Sequence, residues 1–260
     1  MKKNEQKDHE LKFKTAFSDS HLLYKSDIRK YYYQNFQEAT EQAFRRFLYG
    51  LERRQIVHPV GNGTYVLNQA MKKKSFSGNW SQELVAINKA VLAAFPYIQY
   101  LGWETRCLHD LMLHQPGGNI FIIEAEKDAY ESVFNHISAQ YPGKVFLDPD
   151  RLTMERYVVH QTDPILVSSL ITQSPKKMVQ GLPYAKLEKI LVDIFADEKK
   201  YYSFQGDEMV HIFQNAFSSY WISEKTLFRY AGRRKAAQKL LYFMRTQAMI
   251  EFSMNVENAK

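Results

Sequence analysis

The chain has 260 residues, of which 45% are hydrophobic and 14% aromatic, and this composition excludes a disordered protein. No stretch reaches the 18 uncharged apolar residues of a transmembrane helix, and the charged first residues lack the apolar run of a signal peptide, so we expect a globular protein of the cytoplasm. Cys107 is the single cysteine, which excludes an intramolecular disulfide and predicts a thiol packed in the core.

The net charge of +7 arises in the first third of the chain. Residues 1–74 contain 15 Lys and Arg against 8 Asp and Glu, whereas residues 75–260 contain 20 of each. Neutralising phosphates requires clustered cations, so this asymmetry favours a polyanion-binding N-terminal domain joined to a neutral one. An ordinary solvated basic surface would have the same charge and remains the alternative.

Three helical segments and a hairpin are predicted before residue 70. The first segment covers residues 11–17, the second begins with Ser26 as its cap, and the third runs from Thr40 to Arg54. Four apolar residues of the third segment recur at helical spacing on one face: Phe44, Phe47, Leu48 and Leu51. Two β-rich runs around Asn62-Gly63 then predict a hairpin with a tight turn.

Three helices followed by a hairpin is the order of a winged helix-turn-helix, whose third helix normally enters the major groove of DNA. The outer face of that helix and the hairpin therefore contain the predicted DNA contacts: Gln42, Arg45, Arg46, Tyr49, Arg53, His58 and Asn62. Such side chains and the hairpin backbone can bond base edges or phosphates. A winged fold used only for protein contacts remains the alternative.

A polar break at residues 72–79 predicts two domains, a winged helix-turn-helix over residues 1–74 and an α/β (α+β) domain over residues 80–260. In the second domain the pattern alternates between helices and short strands before becoming helical from Tyr184 to the end. Helices are predicted at 81–95, 105–114 and 128–139, and strands at 97–101, 120–123, 145–147 and 165–167. The core stripe of the late helical part comprises Leu187, Ile190, Leu191, Ile194 and Phe195.

Four segments that follow the predicted winged helix resemble the AbiEi-like antitoxin family in their order and local character. They are residues 102–109 (GWETRCLH), 122–128 (IIEAEKD), 187–193 (LEKILVD) and 227–234 (LFRYAGRR). The resemblance covers about residues 25–240 and depends on the order of the segments rather than on an invariant chemical motif.

The resemblance implies a transcriptional repressor that is the antitoxin of a type IV toxin–antitoxin pair. Its partners would be DNA at its own operon promoter and a nucleotidyltransferase toxin, which it would counter without a stable complex. The resemblance implies no catalytic residue, no metal and no cofactor, so we expect the chain not to be an enzyme. The oligomeric state is left open by the sequence.

An enzymatic alternative depends on Glu124, Glu126 and Lys127, which end a predicted apolar strand. Carboxylates with a lysine at a strand end suggest a metal-dependent nuclease or a nucleotide-handling enzyme. The acid and the lysine are adjacent in sequence rather than two residues apart on one strand face, so capping of the following helix is the favoured interpretation.

Other candidate motifs are weaker. His109 and His114 are five residues apart and do not share a helix face, which disfavours a zinc site. Asp148-Pro149-Asp150 has a metal-binding form but lacks the upstream Gly-Ser turn of nucleotidyltransferases, and a turn is expected there. Seven basic residues occur late in the chain and suggest a second phosphate-binding surface, a toxin-neutralising surface or favourable helix ends: Lys225, Arg229, Arg233, Arg234, Lys235, Lys239 and Arg245.

Overall fold

The computed structural model describes residues 12–17, 22–36, 40–54, 56–67, 73–115 and 117–250. The chain forms two compact units. The N-terminal unit contains Met1–Ser75 and Ser219–Lys225, and the sheet unit contains Phe76–Ser218 and Thr226–Glu251. The fold is mixed α/β, with one three-stranded and one six-stranded sheet among the described residues. Within those residues, no helix has the length and apolar character needed to cross a bilayer.

In the N-terminal unit, helices and short strands follow one another in a fixed order. They are α1 (residues 12–16), β1 (Leu23–Tyr24), α2 (Lys25–Asn35), α3 (Glu41–Arg53), β2 (Val57–Gly61) and β3 (Thr64–Leu67). All pairings are antiparallel and the strand order is β1-β3-β2. The three predicted helices and the predicted hairpin are thus present, with an additional two-residue strand, β1, that the sequence did not predict.

Local chemistry explains where these elements begin. Thr40 caps α3, because its Oγ1 accepts a hydrogen bond from the Ala43 backbone N–H at 3.2 Å. The prediction that Ser26 caps α2 was wrong, since the helix begins at Lys25 after Tyr24. The Asp27 carboxylate accepts the Tyr24 backbone N–H at 3.3 Å, which places a negative charge in the first turn, where the helix dipole favours it.

The hairpin turn uses two residues in the left-handed region. Asn62 has φ of 48° and Gly63 has φ of 72°, as a type I′ turn requires. Asparagine and glycine tolerate this conformation better than other residues, so the Asn-Gly pair determines where the chain reverses. The N-terminal core below the hairpin consists of buried apolar side chains from all its elements, including Phe13, Ile28, Phe44 and Leu51.

The sheet unit is built on a six-stranded sheet of order β6-β7-β5-β4-β9-β8. Its strands are β4 (Tyr100–Glu104), β5 (Phe121–Ala125), β6 (Val145–Leu147), β7 (Ile165–Ser169), β8 (Lys176–Val179) and β9 (Leu182–Ala185). The neighbouring pairs β5–β7, β6–β7 and β4–β9 are parallel, whereas β4–β5 and β8–β9 are antiparallel. The predicted strands 145–147 and 165–167 are confirmed within two residues.

Helices α4 (Gln82–Ala94) and α5 (Tyr130–Gln140) pack on one face of this sheet. Phe121, Ile123 and Ala125 of β5 point into that layer. Because side chains alternate along a strand, Glu124 points to the opposite face, where it pairs with α7 (Leu187–Ala196). The remaining helices are α6 (Arg151–Arg156), α8 (Asp207–Ser219), α9 (Glu224–Arg233) and α10 (Ala237–Thr246).

Two predictions for the sheet unit were wrong in position or type. The strand predicted at 97–101 is β4 at Tyr100–Glu104, and Tyr97 is 95% exposed. Glu104 can lie buried in a strand because it accepts the backbone N–H and the hydroxyl of Ser81 at 2.6 and 3.0 Å and the Asn119 amide at 2.7 Å. The helix predicted at 105–114 is a 3₁₀ segment, Thr105–Leu111.

The β8–β9 hairpin was not predicted, because its first strand begins with two lysines and the chain was expected to become helical from Tyr184. Its turn residues Gln180 and Gly181 both have positive φ, as a tight hairpin turn needs. The predicted stripe on α7 is also incomplete. Eight of its ten residues are buried, so this helix is surrounded by protein rather than packed on one side.

Candidate nucleic-acid interface

The outer face of α3 carries five of the seven predicted DNA-contacting residues. Phe44, Leu48 and Leu51 are buried, so the residues between them point outward. The predicted set on this helix is exposed throughout and comprises Gln42, Arg45, Arg46, Tyr49 and Arg53. Tyr49 is 65% exposed on this face. The helix therefore offers hydrogen-bond donors and an aromatic ring on one accessible face.

The cations of this face differ in their partners. Glu41, in the first turn of α3, forms an ion pair with Arg29 at 3.0 Å and a longer one with Arg45 at 3.5 Å. Within the described part of the chain, Arg46 and Arg53 have no ion-pair partner. An exposed guanidinium without a carboxylate keeps its five donors available for phosphate or base edges.

The two hairpin residues of the predicted set have different surroundings. Asn62 is exposed at the tip of the turn. His58 is half-buried, and its ring stacks on Trp221 with centroids 4.3 Å apart and planes 16° from parallel. Burial lowers the pKa of His58, so the neutral ring is favoured near neutral pH. A role as a phosphate donor therefore fits His58 less well than it fits Asn62.

Two residues near His58 were missed by sequence reasoning as parts of this surface. Trp221 belongs to the connection between α8 and α9, and the Lys73 ammonium lies 5.8 Å from the centre of its ring. Burial lowers the pKa of Lys73, and the nearby Glu224 carboxylate opposes that shift. The lysine run at 72–74 was visible in the sequence, but no local signal connects it with a tryptophan so distant in the chain.

Comparison with known families places the chain in a family whose function is unknown. Residues 43–250 match the model of DUF6577, a family of unknown function. The chain belongs to the DUF6577 family. No characterised protein matched the sequence in a search of curated proteins. The match begins within α3 and continues through the hairpin and the sheet unit, so the DUF6577 region contains most of the candidate interface.

The sheet unit of this DUF6577 protein contains a second charged cluster, which is buried. Lys189 of α7 pairs with both Glu124 of β5 and Asp193 one turn further along α7. The Tyr230 hydroxyl donates to Asp193 Oδ1 at 2.9 Å, and Arg234 Nε lies 3.3 Å from the same oxygen. These five residues are called the Lys189 cluster below. The cluster holds two carboxylates and two cations, and Arg234 also reaches Asp197, whose Oδ2 lies 3.7 Å from Arg234 Nη2.

Burial and charge act against each other in this cluster. Burial alone would lower the pKa of Lys189, but the Asp193 and Glu124 carboxylates raise it above its ordinary value, so the lysine stays charged. Burial raises the pKa of Glu124, and Lys189 opposes that shift. Lys189 has no exposed surface, and Asp193 is 3% exposed. The arrangement suits a structural ion cluster better than a site that substrate must enter.

The three residues of the nuclease hypothesis are not brought together in the predicted way. Glu124 is buried and paired with Lys189, whereas Lys127 is exposed and Glu126 is half-buried. His109 and His114 also differ, since His114 Nδ1 lies 2.8 Å from Glu208 while His109 is half-buried. In the parts of the chain that the structure describes, no three His, Cys, Asp or Glu side chains are grouped to hold a metal ion.

The remaining motifs have structural surroundings in this DUF6577 protein. Cys107 is partly buried, and burial raises the pKa of its thiol. Asp150 caps α6, because its Oδ1 accepts the Thr153 backbone N–H at 2.8 Å, and Asp148 pairs with Lys200. Of the late basic residues, Arg234 turns inward to Asp193, while the others are exposed.

Proposed function

We propose that this protein is a DNA-binding transcriptional repressor whose N-terminal unit is a winged helix-turn-helix. The order α1, β1, α2, α3, β2, β3 supports this assignment, because a winged helix places its wing after its third helix. In this proposal α3 is the recognition helix, which enters the major groove, and the hairpin is the wing. A repressor of this kind would act in the cytoplasm, at its own operon promoter.

The observation that carries the proposal is the outer face of α3. Arg46 and Arg53 are exposed and have no ion-pair partner among the described residues, and Gln42 and Tyr49 lie beside them on the same face. Arginine can bond guanine bidentately and glutamine can bond adenine, so the face has groups suited to reading bases as well as phosphates. These exposed side chains are not needed to hold α3 in the fold, because the opposite face of the helix is buried.

We further propose that the repressor is the antitoxin of a type IV toxin–antitoxin pair. The support is the resemblance of its segments to AbiEi-like antitoxins, together with a second unit that is separate from the DNA-binding unit. The sheet unit would then counter a nucleotidyltransferase toxin without forming a stable complex. The Lys189 cluster is buried, which supports a role for this unit that does not depend on catalysis by those residues.

DNA binding is tested with the purified chain and the DNA upstream of its own gene, using fluorescence anisotropy at several salt concentrations. We expect specific binding that weakens steeply with salt, with a slope of about 0.9 for each phosphate contacted, because cations displace condensed counterions. Equal affinity for unrelated DNA, or an affinity independent of salt, would contradict the proposal. Growth rescue after co-expression with the neighbouring toxin from a foreign promoter tests the antitoxin role separately.

A further inference from the structure

The connection between α8 and α9 belongs to the N-terminal unit although it lies late in the sequence. The Lys74 backbone N–H donates to the Ser219 carbonyl at 2.7 Å, and the Trp221 backbone N–H donates to the Lys74 carbonyl at 3.0 Å. These two bonds form a short parallel bridge between Lys74 and Tyr220. Residues 219–225 are therefore attached by backbone hydrogen bonds to the segment that follows the hairpin.

Trp221 extends this attachment to the hairpin itself. Its ring stacks on His58, and His58 is paired with Val66 across the hairpin. Lys73 lies over the same indole. Trp221 thus contacts β2 by ring stacking while its own backbone is bonded to Lys74.

On its β3 side the hairpin is held by β1, by a hydrogen bond from the Lys25 backbone N–H to the Gly63 carbonyl at 2.7 Å, and by Tyr65 and Leu67 in the core. The β2 side is less firmly held. Strand β2 is the edge of the three-stranded sheet, and its pairing register shifts between Pro59 and Gly61. Proline cannot donate to the ladder, and a bulge weakens pairing locally. Strand β1, on the other edge, is only two residues long. Within β2 only Val57 is buried in the N-terminal core, so a tryptophan on His58 adds a large packing surface to this edge strand.

We propose that Trp221 is a positioning residue for the hairpin, stacking on His58 so that the Asn62 turn is held in the orientation used for DNA binding. The second half of this proposal depends on the proposed function. His58 then acts as the stacking partner of Trp221 rather than as a phosphate donor. A segment far along the sequence, between α8 and α9, thereby supplies a residue that positions the hairpin.

The experiment uses the full chain as wild type and as the variants W221A, W221F and Y242A. Tyr242 is 67% exposed on α10, so Y242A is a matched loss of an aromatic side chain elsewhere. The first measurement is an NMR titration of the His58 ring protons without DNA. Lys73 lies over the Trp221 ring and Glu224 acts on Lys73, and neither charged group is changed in these variants.

In wild type we expect His58 ring signals shifted by the indole ring current and a pKa below the ordinary histidine value. W221A should remove the ring-current shift and move the pKa back toward that value, because His58 becomes solvated. W221F should retain most of both features, and Y242A should change neither. Unchanged His58 signals in W221A would overturn the positioning role, whatever the chain binds. If W221A does not fold, W221L, which keeps apolar volume without an aromatic face, replaces it with the same expectations.

The second measurement is affinity for the upstream DNA. We expect W221A to bind about three- to tenfold more weakly than wild type, which is the fold-change equivalent to one lost aromatic stack. W221F and Y242A should bind within about twofold of wild type. Normal affinity in W221A with altered His58 signals would overturn the link to DNA binding while leaving the proposed function intact. Absence of specific DNA binding by wild type would overturn the proposed function, and the His58 titration would still decide whether Trp221 holds the hairpin.

Discussion

The outer face of α3 and the Lys189 cluster contain the same kinds of charged side chain in opposite surroundings. On α3, Arg46 and Arg53 are exposed and have no carboxylate partner among the described residues. In the cluster, Lys189 has no exposed surface and pairs with two carboxylates. The comparison shows that residue type and sequence clustering do not tell an exposed charge from a buried structural one. Exposure and ion-pair partners, which the structure gives, do.

The two regions should respond to mutation in different measurements. An exposed cation without partners contributes little to folding, so its removal should be visible only when a ligand is present. A buried ion cluster contributes little net stability as a whole, but removal of one member leaves an uncompensated charge and is costly. Each prediction below tests this separation, in order of decreasing expected effect.

The largest effect is expected from Lys189→Met. This change removes the cation that pairs with buried Glu124 and leaves Arg234 as the cation beside Asp193, so the free energy of unfolding should fall by about 3–5 kcal/mol. Urea denaturation followed by circular dichroism measures it. Lys127→Met is the matched control, because Lys127 is the exposed lysine of the Glu124, Glu126 and Lys127 motif. It should change stability by less than about 0.5 kcal/mol.

The same variants test the enzymatic alternative. We expect neither wild type nor either variant to cleave DNA or RNA in the presence of Mg²⁺. Metal-dependent cleavage by wild type that is lost in a stable Lys189→Met protein would instead identify the cluster as a catalytic site.

The second effect concerns the outer face of α3. The double variant Arg46→Ala, Arg53→Ala should lose about 1–3 kcal/mol of specific DNA affinity for each arginine that reads a base bidentately, and less for each that holds only a phosphate. Its unfolding free energy should stay within about 0.5 kcal/mol of wild type. Anisotropy and urea denaturation of one preparation give both values.

A control for this variant removes two exposed cations from the sheet unit, Lys89 and Arg106. The variant Lys89→Ala, Arg106→Ala has the same net charge as the α3 variant, so equal loss of DNA affinity in both would attribute binding to overall charge. That result would remove α3 from its role as recognition helix. Growth rescue by the α3 variant, expressed with the toxin from a foreign promoter, should be unimpaired.

Helix caps provide a third and smaller contrast between the two units. Thr40 caps α3 on the surface, and Thr40→Ala should cost about 1 kcal/mol of stability. Ser81 caps α4 and also donates to Glu104, whose carboxylate is almost fully buried. Ser81→Ala should therefore cost about 1–3 kcal/mol, because a buried acceptor loses a donor. Equal losses in urea denaturation would show that Glu104 recruits another donor.

Sequence reasoning predicted the local features of this protein and missed those made by distant segments. The start of α3 near Thr40, the buried face of α3 and the Asn62-Gly63 turn were predicted because their causes lie within a few neighbouring residues. The pairing of Glu124 with Lys189 was not predicted, since it joins a strand to a helix far along the chain. Lys127, adjacent to the carboxylates in sequence, was taken as the candidate partner instead.

The candidate interface shows the same division. Exposure of the outer α3 face follows from helical periodicity, so all five of its residues were placed as predicted. His58 was expected to be accessible because hairpin residues usually are. Its half-buried position depends on Trp221, and nothing in the local sequence around residue 58 specifies that contact. For the same reason the α8–α9 connection was expected to belong with the second domain rather than the first.

The smallest predicted effect is the pH dependence that His58 contributes to folding. Its pKa is lower in the folded chain than the ordinary value of about 6.5, because burial disfavours the imidazolium. As the pH falls below about 6.5, the unfolded chain takes up a proton that the folded chain does not, so the free energy of unfolding decreases until the pH passes the folded pKa. Above about pH 6.5 the His58 contribution to this pH dependence should vanish. His109, whose pKa is also lowered by burial, contributes a similar dependence, so the His58 share is obtained by subtracting the profile of His58→Gln from that of wild type. A wild-type profile that parallels the variant between about pH 5.5 and 7.5, one unit on either side of the ordinary value, would contradict a buried, stacked His58.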